Sequence, residues 1–435
     1  MAILFQSVTV LPMDGERKVL RDAFVAVEGS RITWVGTARP RGDFDRVVDG
    51  RGKVLMPGLI NCHTHVPMAL LRGYGGGHDL QHWLHDYIFP AEAKLDEKAV
   101  AAGAALGLAE MIAAGTTCIA DMYMYTPAIA RAVMEAGISA NLSCGGVYFG
   151  SPEDFSPEKC GDCRHQRELT EQWHGAGEGQ ILVDASIHAE YTSSPPLWQW
   201  MADYAARHGL RMHVHVSETR QEHEGCVEKY GETPMALLDK YGVWQNGGIA
   251  AHCVWVTEED MDLMARRGVT AVHNPVSNLK LASGVAPVPR LLEKGVNVAL
   301  GTDGVASNNN ADLFEEIKLS AILHKGVSGD PMAVSARQAL TMATAGAARA
   351  LGREDTGVIT PGKVADLILV DLTAPNLTPC HDVEENLVYS ARGSNVEMNM
   401  ARGKVIYEKG EFFTLDLEAI RAQVEGYALP RIFGT

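Results

Sequence analysis

Met264-Ala-Arg-Arg-Gly268-Val-Thr-Ala-Val-His273 joins the end of an amphipathic helix to a glycine, a run of apolar and β-branched residues and a histidine. Glycine adopts the left-handed conformation that closes a helix without steric cost, so it marks the point where helix gives way to strand. The same order recurs at Gly115, Gly137, Gly209, Gly242 and Gly295. A unit repeated this often predicts a parallel sheet of βα units. Eight strands are expected, at 54–61, 117–121, 139–144, 181–188, 210–216, 248–254, 269–273 and 296–301. The span from His63 to Asp303 divides into units of roughly 34 residues, a normal βα length, which favours an eight-stranded α/β barrel. An open doubly wound sheet would carry Gly-x-Gly-x-x-Gly after its first strand, and none occurs.

Outward from this core the texture changes. Short strands at 3–11, 23–27 and 32–36 alternate with the turns Asp14-Gly15 and Glu28-Gly29. Similar texture returns at 365–371, at 386–390 and in a hairpin over 396–408 that turns at Arg402-Gly403. The two ends are expected to pair into one β-domain, residues 1–57 with 358–435, around a catalytic barrel of 58–357.

The chain of 435 residues is 46% apolar, ample for burial, and 38 basic against 54 acidic residues leave a net charge of −16. That balance opposes nucleic-acid phosphates and acidic membrane surfaces, so a small molecule is the expected partner. With no basic leader and no apolar run of about 18 residues, a cytoplasmic protein is expected. Eight scattered cysteines do not make a disulfide framework. Cys160-Gly-Asp-Cys163 has only His165 nearby and reads as a thiol pair in a loop, short of the ligands a structural zinc needs.

Active sites of such barrels lie at the C-terminal strand ends, so the residues closing each apolar run are informative. Those positions hold His63-Thr-His65, His188, His215, His252, His273-Asn274 and Asp303. On a strand, residues i and i+2 share a face, so His63 and His65 can reach one ion; on a helix they would stand roughly 200° apart. Six such endings on one rim point to a shared metal site. Of His213 and His215, the second is nearer the rim and is assigned as a ligand; His213 reads as a core histidine bonded to a neighbour. Glu218 returns to the metal only if the chain turns after Val216. Three imidazoles and a carboxylate suit Zn²⁺, with Fe²⁺ the alternative, and a bound cation of this kind lowers the pKa of water to about 7. Asp303 and His252 are placed to take a proton and Glu218 to deliver one.

At this point the chain resembles the aminohydrolase branch of the amidohydrolase superfamily. The resemblance rests on Pro57-Gly-Leu-Ile-Asn-Cys-His63-Thr-His65, His215-Val-Ser-Glu218, Ala251-His252-Cys-Val, His273-Asn-Pro-Val-Ser-Asn278, Gly301-Thr-Asp303 and Gly362-Lys-Val-Ala-Asp366-Leu. It implies a (β/α)8 barrel with a small β-sandwich built from both termini. It also implies one metal ion held by His63, His65, His215 and Asp303, with His252 orienting the water and Glu218 moving protons to a ring nitrogen. Trp83-Leu-His-Asp-Tyr-Ile-Phe-Pro90-Ala-Glu92 is similar to a segment of methylthioadenosine/S-adenosylhomocysteine deaminases whose glutamate binds ribose, which makes Glu92 a sugar contact. His188-Ala-Glu-Tyr191 stands where those enzymes have His-Ser-Pro-Tyr, so His188 is a ring contact beside an altered pair. Their arginine for the ribose 5′-substituent falls within 144–173, where Arg164, or alternatively Arg167, would serve. The glycines of Arg72-Gly-Tyr-Gly-Gly-Gly77-His78 suggest a mobile cover.

The implied function is hydrolytic deamination of an adenine-type nucleoside (adenosine, methylthioadenosine or S-adenosylhomocysteine), with ammonia released. A bare heterocycle such as a guanine-like purine, a pterin or a triazine is the alternative. A non-catalytic scaffold is disfavoured because every ligand position is filled. The cytidine-deaminase type of zinc site is disfavoured because its His-x-Glu and Pro-Cys-x-x-Cys signature is missing. Self-association into a homo-oligomer is expected by analogy.

Overall fold

In a parallel barrel both faces of each strand are covered, so residues on both sides of a strand are buried, polar ones included. Thr116–Met122 and Met212–Val216 are buried at every position. The computed structural model, which describes residues 1–15 and 19–434, contains eight such strands. These are β1 (Leu59–Thr64), β2 (Thr116–Met122), β3 (Ser139–Ser143), β4 (Ile181–Val183 continued by Ala185–Ser186), β5 (Met212–Val216), β6 (Gly248–His252), β7 (Val269–His273) and β8 (Val298–Leu300). Neighbours pair in parallel in chain order. β4 changes partner at Asp184, its first part lying on β3 and its second on β5. The ring closes just past β8, where Thr64 bridges Asp303 in parallel and the Asp303 N–H donates to the His63 carbonyl at 2.9 Å.

The run expected as one strand over 54–61 is two. Lys53–Pro57 belongs to the terminal sheet and Leu59–Thr64 to the barrel. Gly58 sits between them, and a Cβ there would lie 2.2 Å from Thr117 Cγ2. The chain passes from one sheet to the other where no side chain fits.

Lys53–Pro57 pairs parallel with Ala2–Val10 and antiparallel with Leu367–Asp371, so both termini build one nine-stranded sheet. The sheet curls over its own core of Phe5, Val25, Leu55, Leu369 and Met398. Its hairpin of Val396–Ala401 with Lys404–Glu408 turns through Arg402 and Gly403, both with positive φ, as a two-residue turn between twisted strands requires.

Two expectations for the C-terminal part fail. Residues 386–390 lie largely in a helix, Val383–Tyr389, capped by the Asp382 carboxylate accepting from the Glu384 and Glu385 N–H groups. Val383, Leu387 and Val388 face the barrel's core, a spacing that follows the helical period and was obscured in a window of five residues. Beyond Phe412 the chain leaves the sheet altogether. Ile420, Val424, Ala428 and Ile432 form an i, i+4 stripe packed with Leu108, Met111 and Ile112 of the barrel helix Glu97–Ala113, so the terminal segment covers the barrel.

At the N-terminal end of the barrel, the buried Arg353 guanidinium donates to Asn141 Oδ1 (2.8 Å) and to the carbonyls of Ala140 (2.6 Å), Gly179 (2.9 Å) and Gln180 (3.0 Å). It thereby joins the starts of β3 and β4. Arg353→Met removes the donor to Asn141 Oδ1 and to these carbonyls, and urea unfolding at pH 7 is expected to show a loss of about 3 kcal/mol.

Candidate metal centre and active site

His63 and His65 leave β1 on one side, while Thr64 points away and donates to Asp121 Oδ1 at 2.8 Å. His215 lies in β5, and the chain then turns through Ser217 at φ 49°, which brings Glu218 back over the barrel mouth. His252 (φ 74°) and Asp303 (φ 61°) are left-handed as well. Such backbone costs a non-glycine residue about 1–3 kcal/mol and persists where the surrounding structure over-determines it. Three strand ends around one cavity therefore hold their side chains against local preference.

The partners of the ring nitrogens fix the tautomers. His65 Nδ1 meets the Met122 carbonyl at 2.5 Å and His215 Nδ1 meets the His188 carbonyl at 2.7 Å. A carbonyl only accepts, so both Nδ1 atoms carry protons and both Nε2 atoms, in neutral rings, present lone pairs. Those two Nε2 atoms are 3.3 Å apart. Asp303 Oδ1 stands 3.2 Å from His65 Nε2 and 3.4 Å from His63 Nε2. His63 Nδ1 is 2.8 Å from His213 Nε2, and His213 Nδ1 is 3.2 Å from Ser143 Oγ, so His213 sits in the core bonded on both sides. His63 Nε2 is buried without a hydrogen-bond partner.

Lone pairs and a carboxylate converging in a buried space repel one another unless a cation stands among them. Burial pushes His63 down to about 3 and holds His215 well below the usual histidine range. Burial opposes charge on His65, but the Asp303 carboxylate prevails and raises it to about 9, so that a proton on Nε2 takes the place beside Asp303 that a bound cation would fill. These donors fit a divalent metal, and three imidazole nitrogens with one carboxylate oxygen suit zinc. Two overlapping sets, His63 with His65 and Asp303, and His63 with His215 and His252, each bring their ligand atoms within 4.8 Å of one another. His273 does not join them: its Nε2 faces His324 Nε2 at 3.3 Å, behind the rim.

Beside this cluster His252 Nδ1 lies 2.8 Å from Asn278 Oδ1, which accepts its proton and turns Nε2 toward Glu218 Oε2 at 3.7 Å. Burial raises the Glu218 carboxyl; burial opposes charge on His252, but the Glu218 and Asp303 carboxylates prevail and raise it. Ser283 Oγ donates to Glu218 at 3.3 Å, and Ser277 and Ser307 donate to Asp303 Oδ2 at 2.6 and 2.8 Å. Sequence reasoning found the motif ending at Asn278 without these roles. Pro275 at the first position of the helix Pro275–Lys280 was the available signal that Ser277 and Asn278 begin a helix beside β7.

Glu222 braces the turn that carries Glu218, accepting from the Ser217 N–H at 2.6 Å and the Glu218 N–H at 2.8 Å. Glu190 packs against Glu222. Burial first, then the Glu222 charge, pushes Glu190 up to about 9, while burial and Glu218 push Glu222 up to about 7. Burial and the neighbouring Glu222 thus both drive Glu190 toward its neutral acid.

Above the cluster opens a cavity of about 900 Å³ whose floor includes His65, His215, Glu218, His252 and Asp303. Glu92 and His188 line its wall. Glu92 is buried, accepts from the Tyr123 hydroxyl at 2.6 Å and is raised by burial. Burial lowers His188 to about 4, so its ring is neutral, with Nδ1 3.1 Å from Thr192 Oγ1.

Arg164 is not brought to this cavity. It is exposed on the helix Gly161–Trp173, whose inward side places Asp162, His165, Glu168 and Leu169 along the lining. Arg167 donates to the Pro157 carbonyl at 3.3 Å and lies over the Trp200 ring. Neither residue shares the helix face of Asp162, His165 and Leu169, which follow the i, i+3, i+7 period. Residues 72–78 do not line the cavity; Leu80, Trp83, Leu84 and Ile88 cover it instead. Cys163 is inside that same helix with Cys160 just before it, both as free thiols.

A closed parallel barrel whose C-terminal rim gathers buried imidazoles and a carboxylate beneath a cavity defines a metal-dependent hydrolase. The chain belongs to the amidohydrolase family, whose model matches residues 54–406. A 5-methylthioadenosine/S-adenosylhomocysteine deaminase of Moorella thermoacetica is 44% identical over 97% of this chain and 98% of its own length. A 5′-deoxyadenosine deaminase of Methanosarcina acetivorans is 43% identical over 96% and 95%. Among solved structures, an adenosine deaminase from Xanthomonas campestris with bound zinc matches with a TM-score of 0.94 and 36% identity, covering 100% of this chain and 99% of that one. An atrazine chlorohydrolase from Arthrobacter aurescens complexed with zinc matches with a TM-score of 0.90 and 27% identity over 98% and 99%.

The raised Glu190 carboxyl has a consequence for stability. A carboxyl that ionises near 4.5 when unfolded and near 9 when folded favours the fold at low pH and loses that contribution progressively as pH rises between the two values. Glu190→Gln ionises in neither state. In thermal melts, its Tm advantage over the parent protein is expected to widen from pH 5 to pH 8; a constant or narrowing gap would mean that Glu190 is charged in the fold.

Proposed function

We propose that the protein hydrolytically deaminates an adenine-type nucleoside: the bond from the ring carbon to its amino nitrogen breaks, a bond to water oxygen forms, and ammonia leaves. The observation that carries this reading is that one cavity joins the histidine–aspartate cluster, a buried carboxyl at Glu218 that burial raises, and a second buried carboxyl at Glu92 on the wall. His63, His65, His215 and Asp303 would hold the metal, and the zinc bound to two structural relatives favours Zn²⁺ over Fe²⁺. When bound, the ion supplies a Lewis acid that brings the pKa of water to about 7.

The chain's own groups do the rest. His252, whose Nδ1 bond to Asn278 leaves Nε2 as the free nitrogen of its neutral ring, accepts a hydrogen bond from the attacking water in that form and sets its direction. Glu218 passes a proton to the ring nitrogen beside the attacked carbon, and burial favours the protonated form it needs for that step. Asp303, fixed by Ser277 and Ser307, takes the remaining proton toward the departing nitrogen. Glu92 receives the ribose hydroxyls and His188 meets the ring. A bare heterocycle would leave Glu92 and much of the cavity unused, which places the nucleoside ahead of guanine-like purines, pterins and triazines. The relatives named as adenosine, 5′-deoxyadenosine and methylthioadenosine deaminases point the same way.

Ammonia release from adenosine, methylthioadenosine, guanine, a pterin and a triazine tests the reading: the two nucleosides are expected to be turned over, and no turnover of any adenosine compound would sink it. Glu218→Gln is expected to lower kcat by about 10³-fold with the metal content, measured by elemental analysis, unchanged. Removal of the metal with a chelator should abolish activity and added Zn²⁺ should restore it.

A further inference from the structure

We propose that the outer part of the cavity selects the 5′-substituent of the nucleoside by charge, admitting uncharged apolar tails and rejecting those that end in an anion. This rests on the nucleoside reading above. The reacting carbon of the ring has to lie at the floor, and Glu92 stands on the wall, so the ribose 5′-carbon is carried outward. The outward end is recognisable by exposure: Phe149 is 78% exposed, Val147 38%, and Phe89 and Met124 37% each, while His215 and His252 of the floor are buried.

The chemistry of that end is one-sided. Leu80, Leu84, Phe89, Met124, Val147 and Phe149 give it an apolar surface, and its carboxylates are Glu97, Asp162 and Glu168. No lysine or arginine is present among the described residues lining the cavity. Cations close by are engaged elsewhere. Arg72 bonds Glu110 and the Asn309 carbonyl, Lys280 donates to the Ala306 carbonyl at 2.9 Å, Arg131 pairs with Glu97, and Arg167 lies on Trp200. His165 at the mouth already faces Asp162 at 3.7 Å.

A methylthio or deoxy tail loses nothing on entering such a surface and gains by leaving water. A tail ending in a carboxylate or phosphate meets no lysine or arginine among the described residues of the lining, and it meets the like charge of Glu168. An ammonium tail meets carboxylates instead. The names of the two relatives specify methylthioadenosine and S-adenosylhomocysteine for one and 5′-deoxyadenosine for the other, and the cavity of this chain suits the methylthio and deoxy compounds.

The test uses thioethers matched in length, 5′-(3-aminopropylthio)- and 5′-(3-carboxypropylthio)-5′-deoxyadenosine, beside methylthioadenosine, with kcat/KM measured from ammonia release on the metal-loaded protein. The carboxylate compound is expected to fall about 100-fold below methylthioadenosine and the amine to stay within about tenfold of it. The carboxylate penalty should shrink as ionic strength rises through the range where surface charge is screened. Glu168→Arg should raise the carboxylate-to-methylthio ratio about tenfold or more. A carboxylate compound turned over within about threefold of the amine would overturn the proposal. That outcome differs from failure of the deaminase reading, in which none of the adenosine compounds reacts, and the matched pair decides the matter on the parent protein even if the variant does not fold.

Discussion

One backbone hydrogen bond, from the Asp303 N–H to the His63 carbonyl at 2.9 Å, closes the barrel and assembles the site in the same stroke. Where the last strand meets the first, the Asp303 carboxylate is set 3.4 Å from His63 Nε2 and 3.2 Å from His65 Nε2. Closure of a parallel sheet leaves no free edge and fixes the relative heights of all eight strand ends. The positions of His215 and His252 on the same rim follow from that ring. Gly58, crowded against Thr117, lets the first barrel strand start directly beneath the terminal sheet, so the sheet and the barrel share one continuous foundation.

Within that ring the electrostatics are those of groups denied water. His63, His213 and His215 are held neutral, and Glu92, Glu190, Glu218 and Glu222 are pushed toward their neutral acids, all with burial as the first cause. Asp303 alone among these carboxyls is held well below the usual range, because the imidazoles His63 and His65 outweigh its burial. A low-dielectric floor with one strongly ionised carboxylate and others that burial shifts toward their acid forms separates the group that attracts a cation from the groups that move protons. The polar supports, Asn278 on His252 and Ser277 and Ser307 on Asp303, lock rotamers that would otherwise rotate away.

Part of this was legible in the residues. Repeated helix–glycine–strand boundaries fall within a few residues of the observed elements, because glycine at a left-handed helix end and buried apolar strands are local requirements. His63-Thr-His65 could be read as one-sided because strand periodicity is local too. Other features depend on partners distant in the chain. The helix Val383–Tyr389 is decided by which of its faces meets the barrel, and the stripe from Ile420 to Ile432 by the barrel helix it covers. Arg164 shows the limit most clearly: its number placed it in the right segment, and the rotation of its helix put it on the outside.

The sequence by itself determined the periodicities, the order of elements and the ligand-type side chains at strand ends, since each is written in residues close to one another. Only the tertiary structure decided which of those side chains face one another. His273 left the cluster for His324, Tyr123 joined Glu92, Glu190 came to rest on Glu222, and the mouth of the cavity acquired carboxylates without an arginine. The physical reason is that convergence, burial and the balance of charge are properties of pairs of atoms brought together by closure of the barrel, and such pairs have no signature in the spacing along the chain.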